Sequence, residues 1–350
     1  MGAVRYLPPP GLDRTVAWQR YYLLGLDEVA RLRWDGPPRA ARLLPRVDDK
    51  VRLVYRLDGR GPGKRAQGFV GRYVAELSGT SVRFAVDAHD ARHVRDEDAL
   101  RWSDVYFKSN CWAADDYDSK IAPVVNGNGL LNRRRIEHLR RLRGTTRDVD
   151  VAFITNFHGG RPHVFCLFEE LMRLDARCDL LAVFDGADPE DDRRWAARLR
   201  DLGVPVATEP LPPESLWARL ARARTVLVRA GRHACVPWRM LDLLGMGACI
   251  VLDAPFPAEW PVALRDGVEC ANCRIERPLD GTAAPAGEYA KLGTMLVRLL
   301  GQPNAAAALR EGASRYFDEH AAPGRVGAYL LETCAERLSI DDGVHKMEAR

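Results

Sequence analysis

Apolar residues in the second half of the chain follow two alternating patterns. Residues 149–155 and 225–228 are short runs rich in apolar residues, which is typical of strands buried on both faces. Between such runs, residues 161–174 and 213–224 carry apolar side chains three and four positions apart, which predicts amphipathic helices. Strands alternating with helices indicate right-handed crossovers and a parallel, doubly wound sheet. The same patterns predict further strands at 180–184 and 204–208 and a helix at 192–202.

The first half of the chain is less regular. Residues 51–55, 82–86 and 104–107 are predicted strands, and residues 15–34 contain a helix that proline and glycine end. From residue 292 onward the pattern is largely helical, with breaks at the prolines near 303 and 323.

The segment 230–253 is predicted to be a loop, a short helix and a buried strand. Pro237 suits the first turn of the helix and Gly247 suits its end. Arg239 and Asp242 are three positions apart and therefore neighbours on the helix surface. A loop that opens a helix in an α/β unit is where anionic ligands bind, so this charged pair stands at a candidate anion site.

Arg239, Asp242 and Gly247, followed by the strand Cys249-Ile-Val-Leu, resemble the donor-binding stretch of GT-B glycosyltransferases, especially the exostosin-like and CgeB-like branches. Their pattern is approximately R-x-x-E-x-x-x-x-G, and Asp242 replaces the usual glutamate. The resemblance implies that Asp242 holds the nucleotide ribose and that Arg239 neutralises the diphosphate. It implies an α/β fold of two Rossmann-like domains facing a cleft, both with doubly wound parallel sheets.

The phrase Asp104-Val-Tyr-Phe-Lys108 resembles the last strand of the N-terminal domain in the same branches. The arginine-rich helix at 133–143 then leads towards the second domain. We therefore expect an acceptor-side domain at 1–147 and a nucleotide-sugar domain at 148–324. The resemblance implies that a helix in 325–350 crosses back onto the N-terminal domain.

The composition excludes several classes of protein. A net charge of +4, from 52 basic and 48 acidic residues, does not predict a nucleic-acid binder. The sequence contains no run of 18 apolar residues, the length needed to span a bilayer, and the N-terminus lacks the apolar core of a secretion signal. We expect a cytoplasmic protein, and the abundance of Arg, Ala, Gly and Pro fits a bacterial source. The oligomeric state stays open.

Cys270 and Cys273 have the spacing of a metal knuckle, but no second pair follows at the expected separation. We interpret them as ordinary thiols and expect no metal. No cofactor is expected beyond the sugar nucleotide as co-substrate.

The loop after the first strand of the second domain is a candidate donor-binding segment. Two glycines let the backbone approach a diphosphate, the following helix offers free N–H groups, and an arginine adds positive charge. A tight glycine turn with an exposed arginine is the alternative. The candidate residues are Asn156, His158, Gly159, Gly160 and Arg161.

Two further loops carry donor-binding candidates. Arg229, Arg232 and His233 precede the helix of the charged pair and could neutralise a departing nucleoside diphosphate without a metal. Glu259 and Trp260 lie in a proline-rich loop and could contact the sugar or base, although Trp260 could equally anchor the loop.

A general base is expected from the first domain. Asp87, His89 and Asp90 end a predicted strand, and a carboxylate beside an imidazole is suited to taking a proton from a hydroxyl. Of these, His89 and Asp90 are the favoured candidates. The alternative is a polar turn that caps the next helix.

These features predict a metal-independent glycosyltransferase that moves a sugar from a nucleoside-diphosphate sugar to the hydroxyl of a glycan or small-molecule acceptor. Inversion would fit the pair His89 and Asp90, but the stereochemistry stays open. Two alternatives remain: a nucleotide-sugar epimerase on the same fold, and a noncatalytic carbohydrate- or nucleotide-binding protein.

Overall fold

A computed structural model describes residues 2–8, 15–58, 68–158, 161–184, 186–231, 233–276 and 282–348. The chain forms two compact units. The first unit combines Met1–Ile136, Pro257–Ala263 and Asp318–Arg350, and the second combines Glu137–Phe256 and Leu264–Phe317.

The strands and helices alternate along most of the chain. The strands are β1 (Ala3–Leu7), β2 (Arg31–Trp34), β3 (Val70–Leu77), β4 (Thr80–Asp87), β5 (Val105–Lys108), β6 (Cys111–Trp112), β7 (Ile121–Pro123), β8 (Val149–Asn156), β9 (Cys178–Val183), β10 (Val206–Ala207), β11 (Ala223–Val228), β12 (Ile250–Leu252), β13 (Ala258–Glu259) and β14 (Ala271–Asn272). The helices are α1 (Thr15–Val29), α2 (Val47–Asp58), α3 (Glu97–Trp102), α4 (Arg133–Leu142), α5 (Arg161–Met172), α6 (Pro189–Asp201), α7 (Pro213–Ala221), α8 (Arg239–Gly245), α9 (Ala290–Gly301), α10 (Pro303–Tyr316) and α11 (Pro323–Glu348).

The six strands of the second unit form a wholly parallel sheet in the order β10-β9-β8-β11-β12-β14. Counted along the chain within this unit, the order is 3-2-1-4-5-6, which is the order of the Rossmann fold. The chain therefore reverses its direction of winding between β8 and β11, and the loops that leave these two strands diverge.

The sheet of the first unit has the order β2-β1-β3-β4-β5-β7. It departs from the expected all-parallel sheet because β3 runs antiparallel to both β1 and β4. The β3–β4 hairpin turns through Ser78 and Gly79, whose φ angles are 50° and 87°. Two successive positive φ angles are typical of a type I′ turn, and such turns join antiparallel strands. The predicted fold class, α/β with two Rossmann-like domains, is otherwise confirmed.

One predicted element of the first half is wrong, and another is shorter than predicted. Residues 51–55 belong to helix α2 rather than a strand, because Val47, Val51 and Val54 are buried at helical spacing. The helix predicted at 15–34 ends at Val29, and its last residues instead form β2, which pairs with β1. The predicted strands and helices of the second half all occur, with ends that differ by a few residues.

Helices α1 and α11 pack closely in the first unit. A Cβ atom added at Gly25 would lie 2.0 Å from the carbonyl oxygen of Pro323, and one added at Gly327 would lie 2.3 Å from the carbonyl oxygen of Gly25. The two helices can therefore approach this closely only because both positions are glycine. Within the described ranges, no helix combines the length and apolar character needed to cross a membrane.

We predict that Gly25→Ala destabilises the protein, because the new methyl group meets a backbone carbonyl that cannot rotate away. Overpacking of this kind costs about 1–3 kcal/mol, to be measured as a loss in the free energy of unfolding. Gly301→Ala is the matched control, since no atom lies within 4 Å of its added Cβ. Equal stability of the two variants would contradict the close packing of α1 on α11.

Candidate functional site

The carboxyl ends of β8 and β11 are adjacent, and both lead into predicted donor-binding segments. The parallel register pairs Ala223 with Val149 and Val226 with Ala152, so Arg229 follows β11 opposite the end of β8. In open α/β sheets, ligands bind in the crevice where the strand order reverses. Arg229 and the loop after β8 therefore lie together at the expected binding edge of the second unit.

Arg229 joins the two loops by hydrogen bonds. Its guanidinium donates to the carbonyl oxygens of Asn156 at 2.7 Å and His158 at 3.1 Å, and to Thr155 Oγ1 at 3.3 Å. It also donates to the carbonyl oxygen of Ala230 at 3.1 Å. These bonds hold the loop after β8 and place the guanidinium of Arg229 at the crevice.

The remaining predicted residues of these two loops differ in exposure. Asn156 is exposed at the end of β8, and His158 is partly buried. His233 is exposed in a turn whose next residue, Ala234, has a φ of 54°. Three predicted residues lie outside the described part of the chain: Gly159, Gly160 and Arg232.

Arg161 forms ion pairs inside the second unit. Its guanidinium pairs with the carboxylates of Asp191 and Asp192 in the first turn of α6, and its side chain is only 13% exposed. Two carboxylates against one guanidinium leave no excess positive charge there for a diphosphate. The contact instead ties the start of α5 to the start of α6.

Arg239 and Asp242 also have internal partners. The Arg239 guanidinium donates to the carbonyl oxygen of Ile154 in β8, and burial lowers its pKa below the ordinary value while Asp242 opposes that shift. Asp242 is 5% exposed, and one of its carboxylate oxygens accepts from Trp217 Nε1 at 2.9 Å. Helix α8 thus uses this pair to hold its neighbours β8 and α7.

The end of α8 has the expected glycine stop. Gly247 has a φ of 60°, in the left-handed region that glycine adopts without strain, two residues beyond the last helical residue. Its position leaves little room for a side chain, because an added Cβ would lie 2.4 Å from Ser314 Oγ.

Glu259 and Trp260 belong to the first unit rather than to the loops of the second. Strand β13 pairs antiparallel with β6, which places Glu259 opposite Cys111. Glu259 is exposed, whereas Trp260 is 5% exposed. The burial of Trp260 agrees with the anchoring role that the sequence left open.

A buried polar cluster that the sequence analysis missed lies in the second unit. His163 Nε2 is 2.8 Å from Asp253 Oδ2, and His163 Nδ1 is 2.9 Å from the Tyr289 hydroxyl. The cluster joins the start of α5 to the end of β12, and burial raises the pKa of Tyr289 to about 12. The sequence does hold a signal for this cluster: His163 lies four positions before Leu167 and eight before Leu171, so a polar residue occupies the buried face of the helix.

The turn after β4 brings the predicted residues of the first unit together. His89 Nδ1 and Asp90 Oδ1 are 3.5 Å apart, and their side chains are 11% and 34% exposed. Asp87 is fully buried and accepts from the backbone N–H of His89 at 2.9 Å and from the Tyr106 hydroxyl at 3.0 Å. Asp87 therefore supports the turn from behind, and His89 and Asp90 form its more exposed side.

A cavity of about 520 Å³ lies in the first unit, and its lining begins at Arg92 and His93, which follow this turn in the chain. Its lining includes apolar side chains of Val94, Leu100 and Ile121 and charged side chains of Arg92 and Asp115. This volume falls within the usual range of small-molecule sites, about 300–1,000 Å³.

The cysteine pair lies in the second unit at β14. Cys270 and Cys273 are both buried free thiols, and burial raises the pKa of each to about 12. A raised pKa disfavours the thiolate that a metal ligand requires. In the parts of the chain that the structure describes, no three His, Cys, Asp or Glu side chains form a group that could hold a metal ion.

No family model matches the sequence, and no curated protein matches it. Solved structures with a similar chain fold include HepE from Anabaena in complex with UDP and glucose (14% identity, TM-score 0.45, 67% of this chain and 64% of that chain). They also include a glycosyltransferase from Rickettsia africae (13%, 0.43, 67% and 63%) and the lipopolysaccharide outer core galactosyltransferase WaaB (14%, 0.41, 69% and 65%). The match spans less than two thirds of each of these chains. With TM-scores below 0.5, these likenesses carry no functional conclusion.

We predict that Asp242→Ala destabilises the second unit, because it leaves the buried indole N–H of Trp217 without its carboxylate acceptor. Loss of this hydrogen bond to a carboxylate costs about 1.5–3 kcal/mol, measurable as a loss in the free energy of unfolding followed by tryptophan fluorescence. Asp242→Asn keeps an oxygen acceptor and should lose less. Unchanged unfolding of the Ala variant would contradict this supporting role.

Proposed function

We propose that the chain is a glycosyltransferase that binds a nucleoside-diphosphate sugar where the loops after β8 and β11 diverge. The observation that carries the proposal is the 3-2-1-4-5-6 order of the second sheet, with Arg229 reaching across its switch point. The order fixes where a ligand of such a sheet binds, and the arginine supplies a cation at that place. The motif Arg239, Asp242 and Gly247 supports assignment to the exostosin-like or CgeB-like branch.

The diphosphate would lie against the loop after β8 and the start of α5. This helix has 12 residues, so its N-terminus offers unpaired N–H groups and the positive end of a helix dipole. Arg229 and the exposed His233 would add charge-assisted hydrogen bonds from the β11 side. We assign no diphosphate contact to Arg161, because Asp191 and Asp192 already neutralise it.

The acceptor would bind on the first unit. The turn at His89 and Asp90 supports this placement because it presents a partly exposed carboxylate, and the cavity of about 520 Å³ lies in the same unit. The transfer would then move the sugar from the nucleotide to an acceptor hydroxyl, with the nucleoside diphosphate as leaving group.

A noncatalytic nucleotide-binding protein is the second candidate. It is favoured by the internal bonds and the burial of Arg239 and Asp242, because desolvated side chains that hold neighbouring elements together are less available to a ligand than the half-buried Arg229. The two candidates predict the same nucleotide binding and differ only in turnover.

We predict that Arg229→Ala weakens binding of a nucleoside diphosphate by about tenfold or more, since hydrogen bonds to a charged group contribute about 1.5–3 kcal/mol. Calorimetry with UDP, GDP, ADP and dTDP would measure the dissociation constants. The matched control is Arg222→Ala at the other end of the same strands, where an exposed Arg222 pairs with Asp148. Equal losses in both variants would show that the ligand does not bind at the carboxyl ends.

We also predict that the protein releases nucleoside diphosphate from its sugar nucleotide only when an acceptor is present, and that EDTA leaves this turnover intact. The positive charge of Arg229 would replace a metal ion at the leaving group. Release without any acceptor would indicate hydrolysis or an epimerase-type reaction, and binding without release would indicate the noncatalytic protein. Turnover lost in EDTA and restored by manganese would disprove metal independence.

A further inference from the structure

Three consecutive residues at the end of β5, the strand next to β4, hold the turn that carries His89. Lys108 Nζ donates to the carbonyl oxygen of Ala91 at 2.6 Å, and Asn110 Nδ2 donates to that of Asp90 at 2.6 Å. Ser109 Oγ donates to the carbonyl oxygen of His89 at 3.2 Å. All three donors belong to fully buried residues, so the backbone of the turn is fixed from one side.

The same turn fixes the orientation of the imidazole. The backbone N–H of Ala91 donates to His89 Nδ1 at 2.7 Å. An N–H group can only donate, so Nδ1 must carry a lone pair at this contact. The single proton of the neutral ring therefore lies on Nε2. The Phe69 ring packs edge-to-face against the imidazole, with a centroid distance of 4.5 Å.

Protonation of the ring is disfavoured in this setting. A proton on Nδ1 would face the N–H of Ala91, placing two donors against each other. Burial lowers the pKa of His89 below the ordinary value of 6.5, and the nearby Arg95 and Lys108 lower it further. Asp90 and Asp87 act in the opposite direction but do not reverse the shift. The neutral ring is thus the form present at pH 7.

We propose that His89 donates a hydrogen bond from Nε2–H to an oxygen of the bound substrate and is not the general base. In this tautomer Nδ1 is the only ring nitrogen with a lone pair, and that lone pair already accepts a hydrogen bond from the Ala91 N–H. Nε2 bonds to no residue that the structure describes, and the side chain is 11% exposed. The hydroxyl of an acceptor offers such an oxygen.

The inference rests on the proposed function and changes the roles within the predicted pair. A neutral imidazole that presents N–H cannot take a proton at that atom, whereas the Asp90 carboxylate is an acceptor. Asp90 is then the member of the pair that can receive the proton of an acceptor hydroxyl. Its side chain is 34% exposed, three times the fraction of His89, so a hydroxyl can reach it.

Turnover of three variants of the full chain tests this role. Glutamine places an amide N–H near the position of Nε2, whereas asparagine is one bond shorter and reaches only the position of Nδ1. We expect His89→Ala and His89→Asn to lose about three- to tenfold in turnover, and His89→Gln to recover most of that loss. Loss of a general base would cost about 10²–10⁴-fold in all three. A Gln variant no better than the Ala variant overturns the proposal.

The tautomer can be measured without any substrate. Two-dimensional ¹H–¹⁵N NMR of the ¹⁵N-labelled protein, with His89→Gln to assign the signals, should show a protonated Nε2, an unprotonated Nδ1 and a midpoint below pH 6.5. A proton on Nδ1 or a midpoint above 6.5 overturns the inference and leaves the proposed function standing. Conversely, absence of turnover with every sugar nucleotide would reject the proposed function while the NMR result stands.

Discussion

The hydrogen bonds of Arg229 connect the two loops on which the candidate site depends. They form only because β8 and β11 are neighbours in register, although 74 positions separate Thr155 from Arg229 along the chain. Two of these bonds replace water at the backbone carbonyl oxygens of Asn156 and His158, where β8 ends. One side chain therefore satisfies the end of one strand and places a cation at the end of the next. A substitution that removes the charge of Arg229 therefore also removes the hydrogen bonds that hold the loop after β8.

The polar residues around that crevice fall into two groups. Arg161, Arg239, Asp242 and His163 are held by partners inside the second unit, whereas Asn156 and His233 are exposed. A side chain with buried partners loses them when it turns to a ligand, so its net contribution to binding falls. Specificity for a nucleotide would then depend on the exposed residues Asn156 and His233 and on backbone N–H donors more than on Arg239 and Asp242 of α8.

The sequence predicted the second unit well because its strands are buried on both faces and read as continuous apolar runs. It predicted the first unit less well, since α2 carries three valines that also suit a strand and the Ser78-Gly79 turn was not recognised as a hairpin. Candidate site residues could be located because they follow strands. Their partners could not, because Trp217 and Asp242 are 25 positions apart and Ile154 and Arg239 are 85 apart. The role proposed for His89 depends on the backbone N–H of Ala91, only two positions away, and the residue types alone do not show that contact.

The packing of α11 on α1 has a consequence for the order in which the chain can fold as it leaves the ribosome. Every residue of the second unit is synthesised before α11, because that unit ends at Phe317. The first unit starts earlier but finishes later, since the surface of α1 around Gly25 has no covering helix until residues 323–327 have emerged. The second unit can thus complete its fold before the first unit does. Until α11 has been synthesised, the apolar surface of α1 in the first unit stays uncovered.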